Sequence, residues 1–178
     1  MKLLLKKITI ATAIGGAGII TIGALCCAIG ARVNTSKSIP LGLYWTSGQP
    51  AEKGAYVLFC PPRVGVIAEA KHRGYLASGF CPGDYGYMMK KILAAKDDTV
   101  TISAAGVSVN GALLPLSAPL GKDRAGRPLP RYQFTSFVIN NAEVLLMSDV
   151  SGTSFDARYF GPVNRSHIKT VIVPVITW

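Results

Sequence analysis

Asn34-Thr35-Ser36-Lys37-Ser38-Ile39-Pro40-Leu41-Gly42-Leu43-Tyr44 follows closely on an uncharged run from Ile8 to Gly30. At about 1.5 Å rise per residue, that run spans roughly 34 Å as a helix, enough for a hydrocarbon core of about 30 Å. Lys2, Lys6 and Lys7 precede it and Arg32 follows, which favours the N-terminus in the cytoplasm and the remainder outside. The sequence therefore predicts three parts: a cytoplasmic tail over 1–7, a transmembrane helix over 8–30 and an exported domain over 31–178. A cleaved secretory signal is the alternative, with Ala28-Ile29-Gly30 as a small-x-small site. The apolar core is longer than the 7–15 residues typical of such signals. Either way Ser38 is exported, and with the anchor retained it lies beside the bilayer surface, where it can meet a tethered substrate.

The chain has 178 residues and a formal net charge of +10. Without Lys2, Lys6 and Lys7, 16 of the 19 Lys and Arg face 9 acidic residues, so the exported part is still basic. No basic run carries the stacking aromatics or motif of a nucleic-acid binder, which argues against that partner. An anionic lipid surface accounts for the same charge. Cys26 and Cys27 fall in the apolar run, whereas Cys60 and Cys81 fall in the exported part, a compartment that permits a disulfide between them. Their spacing and the scarcity of histidine argue against zinc, and no cofactor is expected.

Short β-branched runs bounded by turn residues dominate the exported part. Strands are predicted over 55–59, 85–93, 99–103, 107–109, 143–147 and 169–177, with Asn110-Gly111 as a two-residue hairpin turn. One helix is predicted after Pro61-Pro62, with Val64, Ile67, Ala68 and Lys71 on one face and Gly74 closing it. Ser117 to Arg131 holds three prolines, two glycines and four basic residues without an apolar period, and reads as a long exposed loop. The class is mainly β, with one short helix behind a single membrane segment.

A serine hydroxyl needs a base to become a nucleophile. His72 lies in the cationic Lys71-His72-Arg73 cluster and His167 in a polar turn, and neither belongs to a recognisable triad motif. Lysine can serve instead when burial or a neighbouring cation lowers its pKa. Met88-Met89-Lys90-Lys91-Ile92-Leu93 offers both conditions, but strand alternation alone does not choose between Lys90 and Lys91. In Ser154-Phe155-Asp156-Ala157-Arg158-Tyr159-Phe160-Gly161, Asp156 and Arg158 share one side of an extended chain and can form an ion pair.

These three segments, in this order behind an N-terminal anchor, resemble the type I signal peptidase family of serine peptidases, and more closely its TraF-type conjugative-transfer branch. Ser38-Ile39-Pro40-Leu41-Gly42-Leu43-Tyr44 fits the branch pattern Ser-x-Pro-x-Gly-x-Tyr, whereas general signal peptidases carry Ser-Met-x-Pro. Lys90-Lys91-Ile92 aligns with the family's Lys-Arg-Val-like stretch, but Ala95-Lys96-Asp97-Asp98 departs from the Gly-x-Pro-Gly-Asp of general signal peptidases. Ser154, Asp156, Arg158 and Gly161 match the third box, and Arg73-Gly74-Tyr75 and Cys81-Pro82-Gly83 are similar to elements of the branch.

The resemblance implies the signal-peptidase β fold and endoproteolysis by a Ser-Lys dyad. Ser38 is the implied nucleophile and Lys90 the base. The Ser38 backbone N–H and the Ser36 hydroxyl are implied oxyanion donors, and Asp156, Arg158 and Ser154 support the site. It further implies an inner-membrane protein with its domain in the periplasm, next to lipid and conjugative type IV secretion components. Its expected substrate is a pilin-like membrane precursor, with cyclisation as one outcome. A general signal peptidase acting on many precursors is the first alternative. A non-enzymatic component of a secretion or pilus machine is the second, and it predicts that Ser38 and Lys90 are dispensable.

Overall fold

The structure, a computed structural model, describes residues 2–178 and falls into two units, 1–32 and 33–178. The first unit is built on helix α1 (Lys2–Ala28). Its segment Leu5–Ala28 is long and apolar enough to cross a membrane, and Arg32 Nη1 caps the helix end by donating to the Cys27 carbonyl at 2.7 Å.

The second unit is mainly β. Its larger sheet runs in the order β1 (Ala31–Asn34), β2 (Gly42–Ser47), β12 (Ile168–Thr177), β3 (Tyr56–Phe59), β5 (Met88–Ala94), β10 (Glu143–Met147) and β11 (Val163–Asn164). A smaller sheet has the order β8 (Ala112–Leu113), β7 (Gly106–Val109), β6 (Thr99–Ser103) and β9 (Phe134–Val138). The last strand is thus inserted between two early ones, β2 and β3, by antiparallel pairing. Pro174, which has no N–H to donate, falls beyond the stretch where β12 pairs with β3 and beside a register shift against β2. Phe59, Ile92 and Leu146 from the large sheet share one buried cluster with Val100, Ile102 and Val107 from the small one.

The six predicted strands are present with small changes of boundary. Asn110-Gly111 turns the β7–β8 hairpin with φ of 52° and 82°, positive at both central residues as a type I′ turn requires. Helix α2 (Gly65–His72) is the predicted helix, but it buries Ile67 and Ala70, leaving Val64 and Ala68 exposed. Val64 is the N-cap, outside the helix proper, and the buried face is set by Ile67 and Ala70, three residues apart. Strand β4 (Ser78–Cys81) and Cys60, just past β3, are joined by a disulfide between Cys60 and Cys81, with Cα atoms 5.5 Å apart. The extended conformation expected for Asp156 to Arg158 is corrected: Asp156 caps a four-residue helix, α3 (Ala157–Phe160), accepting a hydrogen bond from Arg158 N. An acidic residue two positions ahead of an arginine is also a good N-cap, and that role prevails here.

Candidate active site

Ser38 lies in the turn between β1 and β2. Asn34, at the end of β1 and only 4% exposed, organises that turn. Its Nδ2 donates to the carbonyls of Ser36 (2.7 Å), Ile39 (2.9 Å) and Pro40 (3.0 Å). Its Oδ1 accepts from Ser36 N at 3.1 Å and Ser36 Oγ at 3.0 Å. Ser36 Oγ also lies 2.8 Å from Ser38 Oγ, and with the Ser36 proton given to Asn34 the Ser38 hydroxyl is the donor of that pair.

The rest of the first box has a physical reason as well. The buried Tyr44 hydroxyl donates back to the Pro40 carbonyl at 2.7 Å. A Cβ on Gly42 would lie 2.1 Å from the Ile176 carbonyl oxygen, so only glycine allows β12 to approach so closely. Burial pushes the Tyr44 phenol up to about 12, which keeps it protonated as a donor.

Strand β5 separates its two lysines. Lys90, opposite Val57, points with Ile92 and Ala94 into the main core and is 2% exposed. Lys91, opposite Tyr56, lies on the other face, where its Nζ meets Asp149 Oδ2 at 2.6 Å and the Tyr56 ring at 5.4 Å. Their titration diverges accordingly. Burial brings the Lys90 amine down to about 8; Asp156 acts against this and Arg158 with it. The hydrogen bond to Asp149 raises Lys91 instead. Lys90 Nζ donates to Ser154 Oγ at 2.8 Å, and that is its one hydrogen bond among the described residues.

The third box builds the wall that carries Ser154. Arg158, fully buried, uses its whole guanidinium. Nε donates to Asp156 Oδ1 (2.8 Å), Nη1 to Leu116 O (2.8 Å) and Gly152 O (2.9 Å), and Nη2 to Ser151 O (3.1 Å), Ser154 O (2.9 Å) and Asp156 Oδ2 (2.8 Å). Burial opposes the guanidinium charge, yet the bonds and attraction to Asp156 outweigh it and its pKa is raised. Asp156 Oδ2 also accepts from Ser148 N at 3.1 Å. The pair therefore fastens residues 148–156 through the Ser148 N–H and the carbonyls of Ser151, Gly152 and Ser154, and a buried pair with every donor satisfied is costly to break from one side. Gly161 closes α3 where a Cβ would stand 2.4 Å from the Tyr132 ring.

Two grooves meet at Ser36 and Ser38. One, of about 330 Å³, contains Lys90 together with Val33, Leu76, Met88 and Met89. The other, of about 420 Å³, contains Ser154, Ser151 and Thr153, and is walled by the predicted 117–131 loop through Leu120, Asp123, Arg124 and Arg127. Tyr75 and Phe155, with ring centroids 5.7 Å apart, border both. The structure thus gathers Ser36, Ser38, Lys90 and Ser154 around one cleft, with Asp156 and Arg158 behind it. His72 and His167 line neither groove; His167 Nδ1 lies 3.0 Å from the Cys60 carbonyl. Asn34, Tyr75 and Phe155 escaped the sequence reading as site residues. An Asn ahead of a Ser-x-Ser turn is a recognisable side-chain-to-backbone clasp, and so a usable signal for the first.

A mainly β domain with a serine turn, a buried strand lysine and an N-terminal apolar helix defines a signal-peptidase-like protein. Residues 7–178 match the family described as "Signal peptidase, peptidase S26", and the chain belongs to that family. It is of the TraF type. It is 65% identical over 178 residues to a "Plasmid transfer protein TraF" of Escherichia coli, covering 100% of both chains. It is 36% identical to a "Probable conjugal transfer protein TraF" of Sinorhizobium fredii, covering 84% of this chain and 78% of that one. A signal peptidase I structure from Enterococcus faecalis aligns over 71% of this chain and 100% of its own, at 16% identity and a TM-score of 0.40.

Proposed function

We infer that this chain is a membrane-anchored serine endopeptidase with a Ser38–Lys90 dyad, and that it matures a pilin-like precursor for conjugative transfer. The carrying observation is the state of Lys90: a buried amine brought down to about 8, in the same groove as Ser38. Neutral Lys90 takes the Ser38 proton as Ser38 Oγ attacks the scissile carbonyl. The Ser38 backbone N–H and the Ser36 hydroxyl stabilise the oxyanion. The C–N bond then breaks, Lys90 returns the proton to the leaving amine, and an acyl-enzyme on Ser38 remains. Ser154 holds the lysine amine, while Asp156 acts through Arg158 to hold Ser154.

The inferred topology has residues 1–7 in the cytoplasm, 8–30 in the inner membrane and 31–178 in the periplasm, among the components of a type IV secretion system. The names borne by the relatives, which speak of plasmid and conjugal transfer, support the conjugative setting over general signal-peptide removal. Purified full-length Ser38→Ala and Lys90→Ala proteins should bind precursor but not process it, with a loss of at least about 10³-fold because the two groups act as a unit. Lys91→Ala should retain most activity. Processing by Lys90→Ala at a near-normal rate would remove the dyad.

A further inference from the structure

We propose that the groove beside Ser38 that carries Lys37, Arg124 and Arg127 binds an acidic stretch of the substrate, carrying Asp or Glu close to the cleaved bond. The inference rests on the peptidase reading and names what that site selects. The two grooves differ in chemistry. The one with Lys90 sets that buried lysine as its charged side chain among Val33, Leu76, Met88 and Met89, with Asn34 and Thr35 as neutral polar neighbours. The other presents Lys37, Arg124 and Arg127.

The single carboxylate in that second groove is already used. Asp123 Oδ1 accepts from Ala125 N at 2.9 Å and Arg127 N at 2.8 Å. Its Oδ2 accepts from the Tyr75 hydroxyl and from Arg127 Nε, the latter at 2.6 Å. These bonds, led by the one from Tyr75, hold the carboxyl well below its usual range, so it stays ionised and neutralises Arg127. Lys37 and Arg124 are left with no hydrogen bond or ion pair among the described residues. A guanidinium with free donors receives a carboxylate through paired N–H bonds. The Ser151 and Thr153 hydroxyls, 3.2 Å apart, line the same groove, and whichever accepts in that pair keeps its own proton to donate. A peptide crossing Ser38 in extended form advances about 3.3 Å per residue, so the residues beside the bond reach this groove.

The test digests a proteome-derived peptide library with the full-length protein in detergent, and reads the cleaved bonds by mass spectrometry. Wild type should show Asp or Glu enriched at a fixed offset within about four residues of the bond. Arg124→Glu should lose that enrichment and favour Lys or Arg at the same offset. In parallel, Ser38→Ala protein should bind a fluorescein-labelled Ala-Glu repeat peptide roughly three- to tenfold more tightly than the Ala-Gln peptide, a difference erased by Arg124→Glu. Equal binding of the two peptides, or a cleavage preference unchanged by Arg124→Glu, would overturn the proposal. If wild type cleaves nothing while the acidic peptide still binds through Arg124, the peptidase reading fails and the proposal falls with it as a statement about a cleaved bond, leaving an acidic-peptide groove. Should Arg124→Glu weaken binding to phosphatidylglycerol vesicles and leave both peptide readouts unchanged, the groove serves lipid instead and the proposal falls.

Discussion

Lys90 and Lys91 are adjacent in sequence and opposite in circumstance, and the difference is one of strand face. Lys90 faces the core and is half-way to neutral near pH 8; Lys91 faces Asp149 and keeps its proton. A base must be unprotonated, and the lowered value sets where that occurs. Below about pH 8 the amine is mostly charged and inert, and above it the lone pair is free. The kcat/KM profile should therefore rise with pH through a single limb near 8, and His72→Gln and His167→Gln should leave that limb in place. A limb near pH 6 to 7 that vanishes in either histidine variant would assign the base elsewhere. Asn34 carries the second prediction at this scale. Its side chain holds five groups of the serine turn, so Asn34→Ala should lower kcat roughly ten- to hundredfold with KM nearly unchanged, because a misplaced nucleophile costs rate rather than binding. The limb near pH 8 should stay where it is, which separates a positioning role from a general loss of fold.

Strands and turns show where a sequence speaks and where it is silent. β5, β6, β7, β10 and β12 were legible because β-branched and apolar residues ran between turn residues, and Asn110-Gly111 announced its hairpin. β1, β2 and β9 were not legible: Ala31–Asn34 has no alternation, β2 mixes Gly, Tyr, Trp and Thr, and β9 is mostly exposed, so it carries no buried face to read. The face of Lys90 could not be read either, since it depends on pairing with β3 across a long gap in sequence. The three boxes were legible as residue types, but their geometry was not. Arg158 bonds to the Leu116 carbonyl, 42 residues away, and no local pattern encodes that contact. Gly42 is the element-scale test. A Cβ there would overlap the Ile176 carbonyl, so Gly42→Ala must push β2 from β12 at the root of the serine turn. The expected cost is about 1–3 kcal/mol in denaturant unfolding, together with slower processing, whereas Gly48→Ala, which meets nothing within 4 Å, should be near neutral. Equal stability of the two variants would show that the close approach is relieved by an easy shift of the strand.

On the scale of the whole molecule, one apolar helix precedes one β domain, and the serine turn begins within a few residues of the boundary between them. If the helix is retained in the inner membrane, Ser38 works at the bilayer surface on a substrate that is itself tethered. Such confinement shapes what happens after acylation. The acyl-enzyme on Ser38 can be resolved by water or by an amine, and an amine held beside the ester competes through its effective concentration. On the proposed function, a small pilin-like precursor anchored in the same membrane would bring its own N-terminus towards the ester, and intramolecular capture would then compete with hydrolysis. The expected product is a cyclic pilin, lighter than the hydrolysed form by one water in intact-mass analysis and lacking a free α-amine. Deleting the gene should block conjugation and leave growth unaffected. A version of the protein released from the membrane by deleting residues 1–30 should process the precursor poorly in cells while cleaving short peptides in solution, because its chemistry is intact and only confinement is lost. A linear mature pilin would assign the acyl-enzyme to water, and efficient processing in cells by the released domain would show that tethering adds nothing.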